Sequence, residues 1–290
     1  MIYKTGRSWK ESKEKKALLF AMSGLGKTHV SSMLRSKGDW FHYSVDYRIG
    51  THYMGGYIVD NFKKAAMDVP LLANLLLSNS IYIASNITFE NLAPLSTYLG
   101  KPGDISEGGI PFAEYCRRQG QHEAAEKSAL LDTQHFINRA LELYNYKNFI
   151  CDSGGSICEV VDPWNQNDPI LNALSENLLM IWIKGSESHT AELVNRFDQS
   201  PKPMAYQPDF LLSSWHEYQK ETGLSPDKVK PNDFIRWTYA RALAHRQPRY
   251  EKMAAWGITL HVEDLKKISK PEEFENLVAS ALDTKTDAQG

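Results

Sequence analysis

The stretch from Lys16 to Thr28 constrains this chain more than any other. An apolar run, Ala17-Leu-Leu-Phe-Ala-Met22, passes into Ser23-Gly24-Leu25-Gly26, then Lys27-Thr28 and a helical pattern through Arg35. A short apolar run closed by glycines and followed by helical periodicity reads as strand, tight turn, helix. Residues 21–28, Ala-Met-Ser-Gly-Leu-Gly-Lys-Thr, keep the spacing G-x-x-x-x-G-K-[ST], with Ala21 at the first glycine position. That spacing has a physical reason. Several backbone N–H groups must converge on one phosphate, so small residues are needed where the chain turns in. The helix that follows points its positive end at the same anion. On this pattern Ser23, Gly24, Leu25 and Gly26 wrap a phosphate, Lys27 reaches the β- and γ-phosphates, and the Thr28 hydroxyl ligates Mg²⁺. Ala21 is a mild departure, because a methyl group is tolerated where φ is negative.

Four more segments read as strands: Trp40–Val45, Asn148–Asp152, Asn177–Ile183 and Gly257–Val262. The fourth of the five strands is apolar throughout, as a strand covered on both faces should be. Helical patterns cover 57–78, 112–145, 189–198, 209–222, 231–255 and 271–282, while 80–103 is ambiguous. Strands alternating with helices predict an α/β fold with a parallel sheet of about five strands. The expected organisation is one domain over 1–282. It has a mostly helical insertion at about 57–145, a lid or insert at about 189–232, and a frayed tail over 283–290.

Composition narrows the class. Of 290 residues, 42% are hydrophobic and 23% charged, which fits a globular chain. Lys plus Arg number 33 against 35 Asp plus Glu, a net charge of -2 that argues against a nucleic-acid coat. The basic run Lys4, Arg7, Lys10, Lys13, Lys15, Lys16 reads as a solvated terminus. No apolar run approaches the ~20 residues that span a bilayer, and the N-terminus lacks an apolar h-region. Three cysteines, Cys116, Cys151 and Cys158, without paired spacing suggest neither disulfides nor a zinc site. A cytoplasmic home is the expectation.

Two carboxylates end predicted strands, where ligands of parallel sheets gather. Asp46 follows the second strand and either accepts a proton from an attacking hydroxyl and holds substrate, or caps the loop. Arg48 is a nearby substrate-binding candidate. Asp152 ends the third strand before Ser153-Gly154-Gly155-Ser156, as a metal-binding carboxylate or a helix cap. Gly154 and Gly155 permit close approach of a ligand to the backbone. After the fourth strand, Arg196 and Lys202-Pro203 lie on a segment suited to closing over a transferring phosphate.

Together these stretches resemble the small-molecule P-loop kinases, and most nearly shikimate kinase. The resemblance rests on Ser23–Thr28, Asp46, Gly154-Gly155 and the run Arg246-Gln-Pro248-Arg-Tyr250-Glu-Lys-Met-Ala254, which looks like the family's R-x-P-x-Y-x-x-x-A. It implies a P-loop nucleoside triphosphate hydrolase fold, ATP and Mg²⁺, Asp46 as hydroxyl anchor and candidate base, and Arg246 on an anionic group of the substrate. It also makes Arg196 the first arginine of a closing loop, with Lys202-Pro203 where the family usually has Arg-Pro. Ser44 stands where the family tends to be acidic, which moves the metal burden to Thr28 and Asp152. Resemblance covers about half the chain, and shikimate is not the expected substrate. The expected activity is transfer of the γ-phosphoryl of Mg-ATP to a hydroxyl of a small acceptor. The alternatives are an ATPase switch acting on a protein partner, or a kinase acting on nucleic acid or nucleosides.

Overall fold

A computed structural model describes residues 1–287, apart from the side chains of Glu187, Ser188 and Thr190. The strands are β1 (Lys16–Phe20), β2 (Trp40–Ser44), β3 (Asn148–Asp152), β4 (Leu179–Lys184) and β5 (Ile258–His261). The helices are α1 (Gly6–Glu11), α2 (Lys27–Lys37), α3 (Val45–Arg48), α4 (Gly55–Met67), α5 (Pro70–Leu77), α6 (Ala93–Leu99), α7 (Phe112–Leu131), α8 (Thr133–Tyr144), α9 (Ile157–Val160), α10 (Pro169–Asn177), α11 (Glu187–Gln199), α12 (Pro208–Thr222), α13 (Pro231–Met253), α14 (Val262–Leu265) and α15 (Pro271–Asp287). Among the described residues no helix is long and apolar enough to cross a membrane.

The chain is an α/β protein with one five-stranded sheet, every pair parallel, in the order β2-β3-β1-β4-β5. It divides into two compact units. The first holds 1–45, 126–200 and 236–290, and the second 46–125 and 201–235. The division departs from the expected insertion and lid. The span 126–145 belongs with the sheet rather than with an insertion, and so does 189–200, while the second unit opens at Asp46 rather than at 57.

In the sheet unit, β1 and β4 are buried along almost their whole length because helices cover both faces. Helix α2 packs on β2 and β3, as does α8, while α10 lies on β4 and α15 on β5 and α2. Right-handed crossovers fix this arrangement. The chain leaves β1 toward β2 in one direction and leaves β3 and β4 in the other, so the connecting helices fall on opposite faces. The turn after β1 therefore sits at the point where the connections diverge, which is where parallel sheets open a crevice. Trp9 of α1 is fully buried, with its ring 6.3 Å from Trp40 and its indole N–H on the Glu275 carbonyl.

Two helical expectations split. The stretch 57–78 breaks at Asp68-Val69 because Pro70 restricts the residue before it and begins α5 afresh. The stretch 112–145 divides at Asp132 into α7 and α8. The frayed tail is corrected as far as the described residues reach, since α15 continues through Asp287. Asp283 accepts from the Gly6 N–H and Lys285 donates to the carbonyls of Ala255 and Gly257, so a polar run that reads as solvated is tied to the core. Residues 288–290 of that expected tail lie outside the described residues.

The second unit has its own core. Phe112 stacks on Trp215 at 4.4 Å, and Phe234 meets Trp215 and Tyr218 edge-on. Gln119 pins the strand-less segment before α12, donating to the Met204 carbonyl and accepting from the Tyr206 N–H.

Candidate functional site

The glycine turn is built as its spacing requires. Gly24 and Gly26 have φ of 88° and 93°, a region that residues with a Cβ rarely enter. Gly26 is the N-cap of α2 and gives that helix no side-chain cap, so the first amides of α2 lack the usual capping acceptor. Ser23, Gly24, Gly26 and Thr28 are exposed while Leu25 and Lys27 are buried. Exposed, uncapped amides beside a helix dipole suit an anion. The Lys27 ammonium folds back on the loop, donating to the carbonyls of Ala21 at 3.0 Å and Met22 at 3.4 Å. The loop amides and the lysine make a donor set matched to a phosphate chain.

Arg196 is brought to this loop. Its guanidinium lies 3.8 Å from where a Gly24 Cβ would stand, and Glu192 is 3.5 Å away on the same face of α11. Beside it a cavity of about 210 Å³ is lined by the loop, by His29 and Val30 of α2, by His189, Glu192 and Arg196 of α11, and by Val262, Leu265 and Lys266. Its lining combines apolar side chains, Leu25, Val30, Val262 and Leu265, with the charged Arg196, Lys266 and Glu192. Lys266 Nζ is 2.9 Å from His189 Nε2.

Asp152 ends β3 next to β1, in register with Leu19 of β1 and Ser44 of β2. It is buried, with His42 Nε2 3.8 Å from its carboxylate. A carboxylate at that depth and Thr28 in the first turn of α2 are oxygen donors of the kind Mg²⁺ takes. Gly154 and Gly155 follow. A Cβ at Gly155 would overlap the Ser23 hydroxyl and stand 3.1 Å from the Ser23 backbone nitrogen, so the turn packs closely against the loop.

Arg246 does not present an unspent charge. It is buried, with Nε 2.6 Å from Glu159 Oε1 and Nη1 donating to the Gly155 carbonyl at 3.2 Å. Burial would raise the Glu159 carboxyl, but the Arg246 guanidinium, with His245 nearby, outweighs burial and holds it at about 2. The guanidinium expected to grip a substrate anion is thus committed to a protein carboxylate, and its visible work is to brace the Gly154-Gly155 turn. Two neighbours share that work. Arg249 donates to the carbonyls of Cys158 and Val161, and the Tyr250 hydroxyl reaches those of Ala21 and Gly155. Burial pushes the Cys158 thiol up to about 12, so it stays protonated and inert.

Asp46, Arg48 and Lys202 fall in the second unit. Asp46 stands two residues past the end of β2, half-buried in α3. Arg48 lies over the Tyr53 ring at 5.3 Å, and a π-helical turn, Ile49–Tyr53, follows at once. Such turns gather at functional sites. Lys202 lines a separate polar cavity of about 690 Å³ made of second-unit residues, among them Glu90, Lys101, Glu107 and Asn232.

Some participants escape sequence reasoning. Glu159 and Glu126 are both buried acids. Glu126 accepts from Ser156 Oγ at 2.7 Å, which ties the Gly-Gly turn to α7. Nothing local marks either one, since Glu159 and its arginine are 87 residues apart. Compared with protein-family models, with curated proteins and with solved structures, the chain matches none.

Proposed function

We propose that this protein is a P-loop kinase that moves the γ-phosphoryl group of ATP to a hydroxyl of a small acceptor. The observation behind this reading is the uncapped, exposed N-terminus of α2, entered through two left-handed glycines at the end of the central strand, with Lys27 and Arg196 beside it.

The loop amides of Ser23 to Thr28 bind and orient the phosphates, and Lys27 leaves the Ala21 carbonyl to meet them. Thr28 and Asp152 would hold Mg²⁺, which when bound neutralises charge on the phosphoryl oxygens. Arg196 offsets the charge that develops during transfer. The cavity between α2, α11 and α14 takes the nucleoside end, where its apolar side chains exclude water. Asp46, two residues past β2 in α3, orients the acceptor hydroxyl and accepts its proton, with Arg48 as a second contact to the acceptor. Lys202, with the cavity it lines, belongs to acceptor recognition. Arg246 serves as a brace rather than as a substrate contact.

The test is ATP turnover with and without a metabolite pool, followed by mass spectrometry of the products. Phosphate appearing on a hydroxyl compound supports transfer, whereas hydrolysis indifferent to any acceptor supports an ATPase. Lys27→Ala should lower turnover at least about a hundredfold, the scale for losing a donor aimed at developing charge; unchanged turnover in that variant overturns the assignment. Asp46→Asn should remove transfer while leaving ATP affinity within about twofold, and normal transfer by it would exclude the base role.

A further inference from the structure

The carbonyls of buried Ala21 and half-buried Gly155 lie beside the glycine turn, where three donors serve two acceptors. Ala21 accepts from Lys27 Nζ at 3.0 Å and from the Tyr250 hydroxyl at 3.1 Å. Gly155 accepts from the same hydroxyl at 2.8 Å and from Arg246 Nη1 at 3.2 Å. A phenol has one proton, so it serves one carbonyl at a time. In the structure the shorter contact is to Gly155, and Lys27 covers Ala21. Ala21 is fully buried, so solvent offers its carbonyl no replacement donor.

We propose that Tyr250 is a positioning residue that releases Lys27 for phosphate binding by taking over the Ala21 carbonyl. This rests on the nucleotide-binding reading above. When Lys27 swings to a phosphate, the Ala21 carbonyl loses a donor, and a buried acceptor left unsatisfied opposes the move. Turning one O–H bond from Gly155 to Ala21 removes that opposition. Arg246 Nη1 meanwhile keeps Gly155 satisfied, so each carbonyl retains a donor before and after. No covalent bond changes and no heavy atom of Tyr250 need travel. The ring is held by stacking on Phe20, with centroids 6.2 Å apart. Burial raises the phenol far above its ordinary range, so the proton is present at any working pH.

The arrangement predicts an asymmetry that ordinary packing does not. In the nucleotide-free protein Tyr250→Phe leaves both carbonyls with a donor, from Lys27 and Arg246. With nucleotide bound, the same substitution strands the Ala21 carbonyl. The experiment is calorimetric titration of wild type and Tyr250→Phe with Mg-ATP, together with thermal melts of both proteins without nucleotide. The expected result is binding weaker by about tenfold, equivalent to about 1.4 kcal/mol, with the nucleotide-free melting temperature within about 2 °C of wild type. Unchanged affinity overturns the proposal. So does a lowered nucleotide-free melting temperature with affinity intact, which marks a merely structural tyrosine. Wild type that takes up no Mg-ATP overturns the nucleotide reading itself, and is told apart because it appears before any substitution.

Discussion

The two units use their side chains in opposite ways. In the sheet unit Lys27, Glu159, Arg246 and Arg249 near the candidate site are buried and matched, Arg196 beside the loop is exposed, and the apolar residues of β1, β3 and β4 are almost wholly covered. Glu159 meets Arg246, Arg249 meets two carbonyls, and Lys27 is folded onto the loop. In the second unit, α5 has the sequence Pro-Leu-Leu-Ala-Asn-Leu-Leu-Leu and buries none of its residues, with Leu71 at 67% and Leu77 at 73% exposure. Polar groups under one region and apolar groups on the surface of the other invert the usual rule. The sheet unit has its precision locked in by desolvated pairs. The second unit has apolar surface that contributes little to its own fold.

The sharpest way to break this contrast is to cut the buried pair. Glu159→Gln should cost about 3–5 kcal/mol, because it leaves the Arg246 guanidinium buried without its counter-charge. Denaturant unfolding followed by intrinsic fluorescence reads that loss. A cost below about 1 kcal/mol would mean the pair is open to solvent and the contrast is false.

Acid separates the units next. Burial lowers the imidazole of His122 in the second unit to about 4, against an ordinary 6.5. Between those values the unfolded chain binds a proton that the folded one refuses. Stability therefore falls as pH drops from about 6.5 to 4, by about 3 kcal/mol. Glu159 behaves with the opposite timing. Its folded value near 2 lies below the ordinary 4.5, so its contribution is intact above 4.5 and is lost as pH falls from 4.5 toward 2. Limited proteolysis at pH 5 should therefore cut within 46–125 before it cuts the sheet unit. His122→Gln should remove that early step. Cleavage starting in β1 or β3 at pH 5 would reverse the predicted order.

The smallest effect belongs to α5. Leu71→Gln and Leu77→Gln should each move unfolding free energy by no more than about 0.5 kcal/mol, as exposed positions do. A loss of 2 kcal/mol or more in equilibrium unfolding would show that these leucines are covered in solution.

The sheet was readable because parallel strands buried on both faces are short, continuous apolar runs. All five were placed within about two residues, and the glycine turn followed from spacing alone. The all-parallel α/β class came with them. What was not readable depends on pairing across distance. Arg246 fits a substrate-binding pattern in one dimension, and only the fold shows Glu159 beside it. The turn at Ile49–Tyr53 has no signature, since an i→i+5 bond from Met54 to Ile49 is set by packing rather than by propensity. The second unit was blurred because α5 and α6 are joined by a long segment, 78–92, without strong periodicity, and α5 lacks the amphipathic stripe that marks a buried face.

The strand order has a consequence in time. β1 is made early, yet its neighbours in the sheet are β3 and β4, and the hydroxyl that reaches the Ala21 carbonyl belongs to Tyr250. At a synthesis rate of roughly 5–20 residues per second, the interval between Thr28 and Tyr250 is on the order of ten to forty seconds. Until β3 and β4 are made, the apolar run Ala17–Met22 has emerged without its sheet partners, and Tyr250 follows later still. A chaperone that holds short apolar segments would meet this chain first at its most important loop, and a pause in translation before β3 would prolong that exposure.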